Sequence, residues 1–112
     1  MTHVSVDLSA DAHNAAAKGV AGAIASGSAV NYAAKAAGNA SAVTVGIANV
    51  CTVAILGNFV NGVTLVAAAP ATDNEFLVGG TGDCSAAATT NLTCTLTPKG
   101  GAAQNATVMC AH

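Results

Sequence analysis

The stretch from Asp7 to Gly38 limits what this chain can become more than any other part of it. Thirteen of the thirty residues from Ser9 to Gly38 are alanine, and no proline interrupts them. Alanine is the strongest helix former, because it loses no side-chain entropy on ordering. Asp7 or Ser9 can cap the start, and Asp11 in the first turn suits the positive end of the helix dipole. Lys35 in the last turn and Gly38 just beyond it mark the stop. The pattern predicts one helix over residues 7–38, about 45 Å long at the α-helical rise. A globule built from 112 residues covers only part of such a rod.

Leu8, Ala12, Ala16, Val20, Ala23, Ile24, Gly27 and Ala34 fall near one face at helical spacing. Small or apolar residues nevertheless run almost all the way round, and Val30 and Tyr32 point to nearly opposite sides. A helix covered once shows a single apolar stripe. This one reads as a helix with its own sheet on one side and neighbouring subunits on the other; the simpler alternative is an alanine-rich helix packed once. Gly19, Gly22 and Gly27 each cost about 1 kcal/mol relative to alanine in an exposed helix, and glycine there permits close approach of another backbone. Tyr32 is expected to anchor the sheet. His13, Asn14 and Lys18 are expected in solvent.

With one tyrosine, two phenylalanines and no tryptophan, the core has to be thin and made of Val, Leu, Ile and Ala. Burial alone leaves a domain of this kind marginally stable. Three Lys, no Arg and five acidic residues give a net charge of −2, which argues against a nucleic-acid surface and opposes self-association only weakly.

Cys51, Cys84, Cys94 and Cys110 are separated by 33, 10 and 16 positions, which fits no zinc ribbon or finger. An even count in a small chain suggests two disulfides and an oxidising compartment. Met1 to Val6 shows no apolar signal segment, and no run of eighteen apolar residues occurs. That combination reads as a processed or shortened form, with Met1 as an added start residue. His3 in this lead-in reads as a solvated terminal residue.

Past the helix, residues 39–61 read as a loop region. Ile47–Leu56 is expected to hold a short helix ending at Gly57, with a buried strand as the alternative. Gly62–Ala68 alternates and reads as a strand placing Val63, Leu65 and Ala67 on one face. Phe76–Val78 is a second short strand, closed by Gly79-Gly80-Thr81-Gly82. This glycine cluster lacks the downstream lysine of a phosphate loop and the strand–helix context of a dinucleotide site. Asp73, Glu75 and Asp83 have no ordered calcium-ligand spacing. Leu92–Thr97 and Ala106–Cys110 form the clearest hairpin, turning around Pro98-Lys99-Gly100-Gly101. A register symmetric about Ala102 sets Leu96 opposite Val108 and Cys94 opposite Cys110, all four on the buried face, with Thr93, Thr95, Thr97 and Met109 on the other. That register favours Cys94–Cys110, leaving Cys51–Cys84. The fold class expected is α+β: one domain over residues 1–112, with the long helix laid across a three- or four-stranded antiparallel sheet at 62–110.

No catalytic set is visible. His3 and His112 lie near the termini, His13 has no acid in a partner position by sequence, and no Ser or Cys sits in an acyl-transfer arrangement. No enzyme activity, cofactor or metal is expected. Asn39-Ala40-Ser41, Asn91-Leu92-Thr93 and Asn105-Ala106-Thr107 have the form of glycosylation sequons. Thr93, Thr95 and Thr97 make one short row, less than an ice-binding surface needs. A single tyrosine leaves little for the sugar stacking of a secreted adhesive or carbohydrate-binding module. These two classes remain the alternatives.

The residues Val6-Asp7-Leu8-Ser9-Ala10-Asp11-Ala12, Lys18 to Ala23 and Ser28 to Ala34, together with Asn49-Val50-Cys51 and Leu92-Thr93-Cys94-Thr95-Leu96-Thr97, resemble the bacterial type IV pilins, especially the mannose-sensitive haemagglutinin-like and related major pilins. The resemblance spans residues 6 to 110, densest in the helix. It implies a structural filament subunit on the bacterial surface, held in the inner membrane before assembly. Its partners would be copies of itself and the inner-membrane assembly machinery. It also implies a Cys51–Cys94 disulfide, with Cys84–Cys110 as the remaining pair. MTHVSV does not match the N-methylated Phe and apolar half-helix, with Glu at its fifth position, that begin a mature pilin. The resemblance therefore implies a form without that half-helix, monomeric or weakly associating in solution. The second cysteine pair, and Val63-Thr64 where the family has Tyr-Thr, also depart from its pattern.

Overall fold

The computed structural model describes residues 9–112. Leu8, the Asp7 cap and His3 lie outside that range. The first element is α1, Ser9–Ala36. A short helix follows, α2 (Val53–Leu56), and runs into a 3₁₀ turn at Gly57–Phe59. The strands are β1 (Thr64–Val66), β2 (Glu75–Gly79), β3 (Asn91–Pro98) and β4 (Gln104–Met109), ordered β1-β2-β3-β4 in one sheet. The fold is α+β, a long N-terminal helix packed on a small sheet, chiefly on β4 and β3.

The sheet is mixed rather than purely antiparallel. β2–β3 and β3–β4 are antiparallel, but β1 runs parallel to β2, with Leu65 beside Phe76. Parallel neighbours ordinarily need a long crossover. Here β1 is only three residues long, about 10 Å at the strand rise, so residues 67–74 suffice to bring the chain back. That loop is tightened by Glu75, whose carboxylate accepts the Ala71 N–H at 2.8 Å, and by Thr64 N–H donating to Asn74 C=O at 3.0 Å.

The hairpin register also differs from expectation. Cys94 pairs with Ala106, Leu92 with Val108 and Leu96 with Gln104, a register centred on Gly100 instead of Ala102. Gly100 has φ +71°, a conformation that glycine adopts without steric cost, and the turn forms there. The slip moves each partner by four positions, an even number, so no side chain changes face. Cys94, Leu96, Val108 and Cys110 are all buried as the pattern required.

The disulfides are Cys51–Cys94 and Cys84–Cys110, with Cα separations of 5.4 and 5.6 Å. This is the pairing the family resemblance implies; the pairing drawn from the Ala102 register fails with that register. Closing loops of 43 and 26 residues restricts the unfolded chain enough to contribute about 4 and 3.5 kcal/mol in the chain-entropy treatment. In a core this thin, both are large. The first bond joins the loop before α2 to the centre of the sheet. The second fastens the β2–β3 connection to the end of β4.

Only the second half of the Ile47–Leu56 run is helical. Thr52 caps it, its hydroxyl accepting Ile55 N–H at 3.3 Å. The first half is held by backbone bonds that preclude a helix: Cys84 N–H to Ile47 C=O at 2.9 Å and Val50 N–H to Gly82 C=O at 3.0 Å. The glycine cluster finds its reason here. Gly80 and Gly82 have φ +92° and +49°, and a Cβ on either would press on the Cys51 sulfur, at 3.3 and 2.8 Å. These glycines let the backbone wrap the Cys51–Cys94 bond. Around it the core gathers Val20, Ile24, Val45, Val50, Leu56, Phe59, Leu65, Phe76, Leu96 and Val108.

Candidate functional site

With one face of α1 on the sheet, the opposite face and its margins form the surface that most needs explaining. The covered stripe runs Asn14, Ala17, Ala21, Ile24, Ser28, Asn31, with Val20 beside it. Ala17, Val20, Ala21, Ile24 and Ser28 are buried. Three polar side chains fix this phase. Asn14 Oδ1 accepts the Ala102 N–H at 2.7 Å, Ser28 Oγ accepts the Met109 N–H at 3.2 Å, and Asn31 both accepts from Val43 N–H at 2.7 Å and donates to Val43 C=O at 2.8 Å. Alternating steps of three and four residues are what a helix seam on a packed surface requires.

Of the residues expected on one apolar face, Val20 and Ile24 are buried and Gly27 and Ala34 half-buried, whereas Ala12, Ala16 and Ala23 are exposed. Tyr32 does not anchor the sheet: it is 46% exposed, and Val30 is 69% exposed. Alanine on every side gave the apolar period no phase to choose. The missed signal is the set Asn14, Ser28 and Asn31, whose spacings of fourteen and three keep them on one face. Asn14 is bonded to the hairpin turn. His13 is half-buried, with Nε2 3.6 Å from Asp73 Oδ1, Nδ1 buried without a hydrogen-bond partner, and Gly100 packed against the ring. Lys18 is exposed as expected.

The uncovered face carries no charge from Gly19 to Ala34. Around Gly19 and Gly22 there is open space where a Cβ would lie, whereas a Cβ at Gly27 would collide with the backbone carbonyl of Phe59. Gly27 thus serves close approach within the domain. Gly19 and Gly22 leave shallow places on its exterior. Near the C-terminal end of the face lies an open groove of about 350 Å³ between Gly27, Val30, Asn31 and Ala34 of the helix, residues 41–43, and Phe59. Its amides are already engaged: Asn31 with Val43, Asn39 with Ser41 N–H, Asn58 with the carbonyls of Ala54 and Ile55. What the groove offers is shape and mainly apolar surface, with Asn39 Nδ2 and Asn58 Oδ1 left unbonded among the described residues.

The remaining chemistry-bearing residues are dispersed. All four cysteines are paired. Asp73 faces His13, Glu75 holds the β1–β2 loop, and Asp83 accepts the Ser85 N–H at 2.8 Å. The Ser85 hydroxyl and N–H together hold the Asp83 carboxyl below its ordinary value. Among the described residues no three His, Cys, Asp or Glu side chains converge on a metal-sized site, and no helix is long and apolar enough to cross a membrane. His112 Nε2 lies 3.2 Å from Thr89 O. No protein-family model, curated protein or solved structure matches the chain.

Proposed function

We propose that this chain is the folded domain of a structural filament subunit of the type IV pilin kind. The observation that carries the reading is the uncovered face of α1, small-sided and uncharged from Gly19 to Ala34 and bordered by an apolar groove. A helical filament needs a contact between two different patches that repeats without closing. Such a face, with Val30 projecting from it and Tyr32 exposed at the far margin of the helix, supplies one patch on a rigid rod. The sequence resemblance to pilins supports the same reading. In it the partners are further copies of the chain, and the inner-membrane assembly machinery acts before polymerisation. In filament subunits of that kind, an apolar half-helix ahead of the folded domain forms the filament core. The outer sheet face, with Thr93, Thr95 and Thr107, points away from α1 and is left to meet the surroundings at the cell surface. The domain itself needs no cofactor, nucleic acid or catalytic residue for this role.

The test uses the cells that make the protein. Antibodies to the purified domain should label surface filaments along their length. Ala23→Glu should abolish incorporation into those filaments, because a carboxylate buried between subunits has no partner and costs several kcal/mol. The same variant, purified, should keep its helix content, both disulfides and its melting temperature, since Ala23 is exposed in the domain. Filaments that assemble normally from Ala23→Glu, or surface filaments free of the chain, would overturn the proposal. The gene offers an independent check: a short basic leader ending in Gly, then Phe and an apolar run with Glu at its fifth position is expected upstream, and a conventional signal peptide joined directly to Thr2 refutes the reading.

A further inference from the structure

The segment between the 3₁₀ turn and β1 holds the one place where the fold leaves an asparagine open to attack by its own backbone. We infer that Asn61-Gly62 is a site of spontaneous deamidation, ageing the folded protein into acidic forms altered at this single loop.

The reaction has defined requirements. The N–H of the residue after asparagine attacks the side-chain Cγ. A C–N bond forms, the attacking nitrogen gives up its proton to solvent, the departing amino group takes one up from solvent, and the Cγ–N bond breaks with loss of ammonia. The product is a five-membered cyclic imide. Water then opens it at either carbonyl, giving aspartate or the β-linked isoaspartate. The attack is intramolecular, so its rate depends on whether the two groups are free to meet. The attacking N–H must be unbonded, the asparagine amide unrestrained, and the following residue unobstructive.

Asn61 and Gly62 meet all three conditions. Both are exposed. Neither the Asn61 amide nor the Gly62 N–H has a hydrogen-bond partner among the described residues. Gly62 has φ +85°, and nothing lies within 4 Å of the position a Cβ would take. The other asparagines fail on one count or another. The side chains of Asn14, Asn31, Asn39, Asn49, Asn58 and Asn91 are hydrogen-bonded. Asn74 has a free amide, but the following N–H, from Glu75, is donated to Thr72 C=O at 3.2 Å. Asn105 precedes Ala106, which sits in the β3–β4 ladder opposite Cys94. No other asparagine of the chain is followed by glycine.

The change adds one negative charge to a chain whose net charge is −2. The isoaspartyl form also lengthens the main chain by one methylene between buried Phe59 and half-buried Val63, both packed in the core cluster. The inference does not depend on the filament reading.

The test incubates the purified, disulfide-intact protein at mildly alkaline pH, follows acidic species by ion exchange, and maps them by peptide mass with isoaspartate detection. Asn61 should convert first and at least about tenfold faster than any other asparagine, a barrier difference of about 1.4 kcal/mol, yielding both aspartate and isoaspartate. Asn61→Gln should remove the fast phase while leaving the melting temperature unchanged. Gly62→Ala should slow it as well. Because Gly62 holds a positive φ, Asn61→Gln is the variant that decides. The inference is overturned if another asparagine reacts first, if Asn61→Gln acidifies at the original rate, or if Asn61 reacts only after the protein is reduced and unfolded.

Discussion

The two faces of α1 are built from nearly the same residues and do opposite things. On the covered face, Ala17, Ala21 and Ile24 are at most 2% exposed, and Ser28 is buried with its hydroxyl satisfied. On the other, Ala12, Ala16, Ala23 and Val30 stand in solvent. Alanine content does not separate them. What separates them is Val20 and Ile24 plus three polar side chains aimed at backbone groups of the hairpin and the loop after the helix. In an alanine-rich helix, then, orientation is set by the few residues that have something particular to bond or fill.

That contrast can be broken most forcefully at Ile24. Ile24→Ala should lower unfolding free energy by about 2–5 kcal/mol through lost burial and the cavity left behind. Val30→Ala, on the open face, should move it by no more than about 0.5 kcal/mol. Paired urea titrations of the oxidised protein measure both, and equal effects would mean that the covered face is wrongly assigned. Next comes Gly27→Ala. The added methyl meets the Phe59 carbonyl, and the overpacking should cost about 1–3 kcal/mol, visible as a lower denaturation midpoint. The smallest effect has the opposite sign. Gly22→Ala, with open space at its Cβ position, should stabilise by about 1 kcal/mol and raise the melting temperature of the isolated domain. Two glycine substitutions five residues apart, shifting stability in opposite directions, would locate the boundary between the faces without any structural measurement.

Much of the architecture was legible in the chain. Uninterrupted alanine with Asp11 and Lys35 at its ends marked α1, and alternation with turn residues marked the hairpin and the strands around Leu65 and Phe76. The cysteine pairing followed from the family resemblance and not from the hairpin, whose register was misplaced because nothing in Pro98-Lys99-Gly100-Gly101-Ala102 announces which residue turns. Only Gly100 with its positive φ, and Asn14 reaching across to Ala102 N–H, settle it. The buried face survived that error because the slip is even. The parallel β1 was hidden for a different reason: three residues of strand and a short return loop carry no period that distinguishes parallel from antiparallel pairing. As for the candidate surface, the sequence revealed its small, uncharged character but not its phase, and Tyr32 was placed inward because a lone aromatic is more often core than surface.

The three polar links along α1 have a mechanical consequence. Asn14, Ser28 and Asn31 join the helix to the hairpin turn, to the end of β4 and to the following loop, over a span of about 26 Å at the helical rise. A pull along the rod, of the kind a fibre under tension delivers, loads all three in shear at the same moment. Because a helix is stiff along its axis, an axial displacement strains the three links together and not one at a time. The buried ends of Ile24 and Val20 act as pegs in the same direction. A pull along the axis is therefore expected to meet more resistance than a sideways peel, which opens the links in succession.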